Sequence, residues 1–259
     1  MPTVTDPASG LQVTVDGSVA TLTLDRPGVR NAQTPRMWDA MREVGTALPA
    51  DVRVVVVRGA GPSFSAGLDR SAFTTDASQP DSLAALMASG ESAAAARIAS
   101  FQTAFGWLAG PRIVSVAALQ GHAVGAGFQL ALACDLRVLA DDAVLTMAET
   151  SLGLVPDLGG TKRLVELVGY SAALDICVTG RRVDAAEAYR LGLASRVCPR
   201  AELDQAVAAL VADLSRASAA AISEVKALLL AAADRDQTAQ EAAERAAQLR
   251  RLRALLSPG

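Results

Sequence analysis

Two short stretches place glycine where the backbone itself could do chemistry. "FSAGLD" at 64–69 comes after the apolar run "VRVVVVRGAGPS", and "GAGFQ" at 125–129 comes after "PRIVSVAALQGHAV". Each reads as a turn between a buried strand and a helix. Amides in the first turn of a helix have no partner within it, so two such turns brought together would aim two N–H groups at one oxygen. That arrangement is an oxyanion hole. Gly67, Gly125 and Gly127 suit it, because a side chain there would block the approach of backbone to ligand. The same glycines also let a helix pack close to a sheet, and a lone G-x-G does not decide between the two readings.

The rest of the composition narrows the chemistry. His122 is the only histidine, so a Ser-His-Asp triad or a structural zinc site has little to work with, and proton transfer falls to carboxylates. The imidazole of His122, just before the second turn, reads as a packed group. Cys134, Cys177 and Cys198 make an odd count in apolar surroundings and read as core residues, not as a disulfide frame. No metal and no separate cofactor is expected. The net charge of −3 comes without any basic block of the kind that neutralises phosphate backbones, which argues against nucleic acid as a partner.

At 259 residues the chain is long enough for one large core with an appendage. Hydrophobic residues make up 51%, yet polar or charged side chains interrupt every long apolar run, so no membrane span is expected. The start, "MPTVTDPASG", has neither a basic end nor an apolar stretch. No secretory signal is therefore expected, and a cytoplasmic location is.

The elements that must position the turns follow from periodicity. "LQVTVDGSVATLTLDRP" alternates apolar and polar residues around Asp16-Gly17 and predicts a β-hairpin. "TPRMWDAMREVGTAL" predicts a helix capped by Thr34 with Pro35 in its first turn. "VRVVVVRG" predicts a strand buried on both faces. Residues 74–90 are poor in large apolar side chains and predict a mobile or weakly packed loop, a lid or a tolerated surface segment, before a helix ending near Leu108. The stretch 111–149 predicts strand, glycine turn, apolar helix, strand, turn, strand. Asp184, three residues before Glu187, predicts a capped helix ending near Gly192. From Leu203 onward the chain predicts three Ala-rich helices with too few large apolar residues to form a core alone. Trp38 and Trp107, at helical spacing among apolar residues, read as core or interface. Strand and helix thus alternate, the α/β pattern.

Five segments, in order and spacing, carry a resemblance: "RPGVRNA" at 26–32, "FSAGLD" at 64–69, "GHAVGAGFQLALACDLRV" at 121–138, "MAETSLGLVPDLGGTKRL" at 147–164 and "TGRRVDAAEAYRLGLASRV" at 179–197. Together they resemble the crotonase, or enoyl-CoA hydratase/isomerase, family over nearly the whole chain. The resemblance implies an α/β fold: a crotonase-like spiral of ββα units over 1–200 bearing the acyl-CoA site. A C-terminal helical region over 201–259 would pack on that core or on a neighbouring subunit. It also implies homotrimers that commonly pair into hexamers. The ligand it implies is an acyl-CoA thioester, with CoA as part of the substrate.

By that resemblance, the thioester carbonyl takes hydrogen bonds from the amides of Leu68 and Ala126. Ala126 stands where glycine is common and is tolerated if its backbone angles suit a side chain. Ala66, Gly67, Asp69 and Gly125 are then expected to contact the thioester or CoA. Arg26 and Arg30 are placed to meet CoA phosphates. Three positions match places where the family puts acid–base groups. Glu149 matches its most widespread catalytic glutamate, and Asp157 matches an acid used by dienoyl-CoA isomerases. Gln129 stands where classical hydratases carry a second glutamate.

The last position departs from a hydratase. An amide can hydrogen-bond a water but cannot ionise or shuttle a proton, so hydration should suffer severely. Moving a double bond asks less. One carboxylate can take a proton from one carbon and return it to another while the amide pair stabilises the dienolate. The sequence therefore leans to double-bond isomerisation of an enoyl-CoA. A 2-enoyl-CoA hydratase and a non-catalytic acyl-CoA binder stand as alternatives. The bland readings remain beside these roles: Glu149 as a helix-start carboxylate, Asp157 as a turn residue before Gly-Gly, and Gln129 as a partner for a buried backbone group.

Overall fold

The structure is a computed structural model that describes residues 7–256. The first six residues, part of the start read above for a signal, and the last three of the expected helical region lie outside the described residues.

The hairpin forms as expected. Strands β1 (Leu11–Asp16) and β2 (Val19–Leu24) pair antiparallel with Asp16 opposite Val19, and Gly17 takes the left-handed turn conformation at φ 54°. Helix α1 (Pro35–Ala47) starts under Thr34, whose hydroxyl accepts from the Met37 amide at 3.2 Å. Strand β3 (Val54–Gly59) then runs parallel to β2, and its four valines are all buried. A continuous β-branched run buried on both faces belongs in the middle of a parallel sheet.

Residues 74–82 form the largely exposed turns that their composition predicts, but 83–88 turn into a helix. Ser82 is buried and caps helix α2 (Leu83–Ala88), accepting from Ala85 N at 2.9 Å while donating to Asp76 O at 3.1 Å. Short side-chain caps thus hold a segment that has few apolar groups to bury. Helix α3 (Glu91–Gly106) follows and packs on α1 through Trp38, whose ring lies 4.7 Å from Phe101 and 6.1 Å from Phe105.

The 111–149 stretch holds one more strand than the sequence predicts. It folds as β4 (Val114–Leu119), β5 (His122–Val124), α4 (Ala126–Ala133), β6 (Leu136–Ala140) and β7 (Val144–Thr146). Helices α5 (Gly160–Val168) and α6 (Tyr170–Thr179), strand β8 (Arg182–Asp184), helix α7 (Ala185–Arg190) and strand β9 (Arg196–Cys198) complete this part. Asp184 caps α7 by accepting from Glu187 N at 2.7 Å.

The strands build a six-stranded sheet in the order β1-β2-β3-β4-β6-β9 and a three-stranded sheet β5-β7-β8. One face of the larger sheet holds the main core. The other, with Val54, Val56, Val116 and Val138, is covered by Leu203, Val207 and Leu210 of α8 (Leu203–Arg216). Helices α9 (Ala219–Ala231) and α10 (Gln237–Leu256) follow. Lys226 of α9 is buried and donates to Ile113 O and Asp135 Oδ2, both at 2.6 Å. The helical tail thus leans on the same chain's sheet through an apolar face and one buried ion pair. Among the described residues, no single helix is long and apolar enough to cross a membrane.

Candidate active site

The two glycine turns meet. Ser65 N donates to His122 O at 2.9 Å and Val124 N donates to Ser65 O at 3.0 Å, so the 64–69 segment lies alongside β5 as an extra rung. This segment is not the direct end of β3, as the sequence implied. It runs on past Gly59 and enters a single 3-10 turn, Arg70–Phe73. Gly67 sits at φ 85°, and a Cβ built there would lie 2.5 Å from Val124 O and 3.5 Å from Ala126 N. Only glycine permits that approach.

The direction of each amide follows from its neighbours. Gln33 N donates to Gly67 O at 2.7 Å and Asp69 N donates to Gln33 O at 2.8 Å, bracketing Leu68. A trans peptide points its C=O and N–H oppositely. With the Gly67 carbonyl turned to Gln33, the Leu68 N–H therefore points away from it. On the other loop, Gly125 O accepts from Gln129 N at 2.9 Å as α4 begins, so the Ala126 N–H projects from the helix end. Among the described residues neither amide donates to another group of the chain. Ala126 keeps an ordinary negative φ, because only Arg30 and Asn31 take positive φ among described non-glycine residues. Glycine is therefore not required at 126.

The carboxylates stand on the other side of Gly125. That glycine, at φ 50° and ψ −117°, would bring a Cβ to 3.1 Å from Glu149 Oε1. Glu149 is buried, at 9% exposure, at the start of a 3-10 turn after β7. Its Oε1 accepts from Gln129 Nε2 at 2.7 Å, while its Oε2 is buried without a partner. Burial raises the Glu149 carboxyl above its ordinary value. The Gln129 hydrogen bond opposes that rise, and the charge of Asp157 adds to it.

Gln129 has only one possible orientation. Its Oε1 accepts from Leu158 N at 2.9 Å and Gly160 N at 3.4 Å, so its NH2 must be the end that faces Glu149. It acts as a fixed donor between the Asp157 loop and the carboxylate. The backbone-partner reading holds: its oxygen satisfies the Leu158 and Gly160 amides. Gly160 makes room, since a Cβ there would meet Gln129 Cγ at 2.8 Å.

Asp157, an exposed residue on the loop before α5, opens into the same cavity, where the walls around it push its carboxyl upward. Its main-chain carbonyl accepts from Gln102 Nε2 at 2.8 Å, tying the loop to α3. Leu68, Ala126, Gln129, Glu149 and Asp157 all line one cavity of about 1290 Å³, together with Ala66, Gly67, Asp69 and Gly125. The mouth exposes Phe73, Met87, Leu152 and Val155, an apolar rim suited to a hydrophobic ligand.

The basic residues fall elsewhere. Arg26 NH1 donates to Asp69 Oδ2 at 2.7 Å and to Ala32 O at 2.6 Å, and neither Arg26 nor Arg30 lines the cavity. Burial pushes the Asp69 carboxyl up, but the Ser71 hydrogen bonds and the Arg26 guanidinium hold it below the usual carboxylate range. The pair fastens the 64–69 segment to the 26–32 turn, which leaves little of its charge for a ligand. Arg30 is exposed and left-handed at φ 51°, and its carbonyl accepts from Ala66 N at 2.8 Å.

Sequence reasoning missed Gln33, which clamps the first turn, and α2, which walls the cavity. Gln33 sits just before a helix cap and looks like an ordinary loop residue. A polar side chain at 0% exposure is visible only in the fold.

The family model described as Enoyl-CoA hydratase/isomerase matches residues 14–252. A probable enoyl-CoA hydratase of Mycobacterium tuberculosis is 34% identical over 213 residues, covering 82% of this chain and 77% of that protein. The peroxisomal Delta(3,5)-Delta(2,4)-dienoyl-CoA isomerase of Arabidopsis thaliana is 33% identical over 218 residues, covering 83% and 78%. Among solved structures, a candidate enoyl-CoA hydratase from Thermobifida fusca in complex with acetoacetyl-CoA superposes with a TM-score of 0.91. It is 51% identical, covering 95% of this chain and 96% of that one.

Proposed function

This chain belongs to the enoyl-CoA hydratase/isomerase family and has its crotonase fold, and from that premise we propose that it isomerises the double bond of an enoyl-CoA thioester. The observation that carries the reading is the partner of the carboxylate: Glu149 is held by the neutral Gln129 amide, where hydration would need a second ionisable group.

In this mechanism the thioester oxygen sits between the Leu68 and Ala126 amides. The Glu149 carboxylate removes a proton from C2 of a 3-enoyl-CoA, and the electron pair spreads as a dienolate onto the carbonyl oxygen. The two amides stabilise that charge, each worth roughly 3 kcal/mol in a dry, preorganised site. The proton returns at C4, giving the 2-enoyl product with no net gain or loss of atoms. For a 3,5-dienoyl substrate, Asp157 delivers the proton at the far carbon. Burial favours the neutral form of Glu149, which suits a group that must accept a proton and give it back.

Hydration of a 2-enoyl-CoA is the second reading, favoured by the hydratase names among the relatives. It needs a water held between two ionisable groups, and Gln129 spends its oxygen on Leu158 and Gly160. The deciding experiment follows thioester absorbance on 3-enoyl-, 3,5-dienoyl- and 2-enoyl-CoA. Faster turnover of the first two supports isomerisation, and preferential hydration of the third overturns it. Thioester binding with no turnover of any of them would make the chain an acyl-CoA binder.

The homotrimer or homohexamer is likewise proposed. The exposed leucines of α10, Leu249, Leu252 and Leu256, stand at helical spacing and offer a face for a second copy. Light scattering reads the state directly.

A further inference from the structure

A buried polar network lies directly behind the Leu68 amide, and its members have no part in the proton chemistry. Trp38 Nε1 donates to Gln33 Oε1 at 2.7 Å. An indole N–H can only donate, so the other end of the Gln33 amide is its NH2, which meets Ser65 Oγ at 3.0 Å. Ser65 Oγ donates to Asn31 O at 2.8 Å and also accepts from Gly67 N at 3.2 Å. The hydroxyl therefore uses its one proton and both lone pairs. Gln33, Ser65 and Asn31 are each 0% exposed, and Trp38 is 5% exposed.

The network fixes the residue that aims the donor. Gln33 main-chain groups bracket Leu68 from both sides, and its side chain is pinned at one end by Trp38 and at the other by Ser65. Ser65 in turn holds the Gly67 amide, one peptide before the donor. A fully satisfied buried network is rigid, whereas a half-satisfied one destabilises its surroundings. Arg26 holds the segment at Asp69 and the Arg30 carbonyl holds it at Ala66, but Gly67 between them has the widest backbone freedom of any residue, and its amide is held by Ser65 Oγ.

We propose that Gln33 is a positioning residue for the Leu68 N–H, acting through the Trp38–Gln33–Ser65 network to hold that donor on the thioester carbonyl. The assignment rests on the thioester reading above and deepens it.

The test uses a saturated acyl-CoA carrying carbon-13 at the thioester carbonyl, which binds but has no double bond to move. Isotope-edited infrared spectra read its C=O stretch free and bound. In the wild type the band falls on binding as the oxygen accepts hydrogen bonds. In Gln33→Leu the shift should shrink by about half. Turnover should drop about tenfold with KM within threefold, short of the 10²–10³ loss expected when a donor is removed outright. Trp38→Phe keeps one aromatic ring against Phe101 and removes the indole donor, at the cost of some buried ring volume, and should move the band and kcat in the same direction by less. It decides the matter if Gln33→Leu fails to fold.

A folded Gln33→Leu or Trp38→Phe enzyme with the wild-type band shift and kcat overturns the positioning role. No band shift in the wild type would instead overturn the thioester reading on which it rests. General loosening of the fold would lower Tm without changing the bound carbonyl frequency, and that result also counts against the proposal.

Discussion

Gln129 Nε2 lies 2.7 Å from Glu149 Oε1, and the Gln129 carbonyl oxygen is held from behind by two backbone amides. A neutral donor thus faces the buried carboxylate where a second acid would repel it. The contact steadies the ionised form against the cost of burial and ties the carboxylate to the loop that carries Asp157.

Replacing Gln129 by Glu puts a like charge in contact with Glu149, which disfavours ionisation of both. The acid limb of kcat/KM for isomerisation should move to higher pH by about one unit or more. The same variant supplies the missing second acid and should gain hydration of 2-enoyl-CoA. Paired pH–rate profiles on the two substrates check both outcomes.

Gly67→Ala places a methyl 2.5 Å from Val124 O at a left-handed backbone angle. The two loops must separate, so kcat should fall by about 10²-fold or more. Stability should fall by about 1–3 kcal/mol from backbone strain. Steady-state kinetics and urea unfolding measure the two effects separately.

Glu149→Gln removes the base and should lower kcat by roughly 10²–10⁴-fold. Its effect on stability has the opposite sign. Because the folded-state pKa of Glu149 is raised, its contribution to stability is complete below the unfolded-state pKa and is lost as pH rises through the folded-state value. The variant should therefore gain in Tm relative to wild type as pH climbs through that window, with little difference at acid pH. Thermal melts across a pH series would contradict this if the gap stayed constant.

Asp157→Asn should spare 3-enoyl-CoA and slow 3,5-dienoyl-CoA by about tenfold or more, the scale of a lost general acid. Equal losses on both substrates would remove Asp157 from the far-carbon role.

Lys226→Met leaves Asp135 and the Ile113 carbonyl facing an apolar chain. Breaking a buried pair from one side costs about 3–5 kcal/mol. Urea midpoints should fall accordingly, with the activity of the folded fraction intact, since no residue of α9 lines the cavity.

Much of the site was legible because it is local. Thr34 and Asp184 cap their helices as their spacing predicts, and the valines of β3 announce a central strand. The α2 helix was not legible, because Ser82 stabilises it through hydrogen bonds that hydrophobic periodicity cannot register. The 2.7 Å contact between Arg26 and Asp69, 43 residues apart in the chain, is visible only in the fold.

The sequence by itself determined which backbone stretches could carry free amides and which carboxylate types were present, because glycine freedom and ionisable groups are properties of single residues. Tertiary structure alone decided that Leu68 and Ala126 share a space, that Gln129 turns its NH2 and not its oxygen to Glu149, and that Gln33 is buried behind the donor. Those outcomes depend on hydrogen-bond partners dozens of residues away, and a donor's direction is set only when every competing acceptor has been placed.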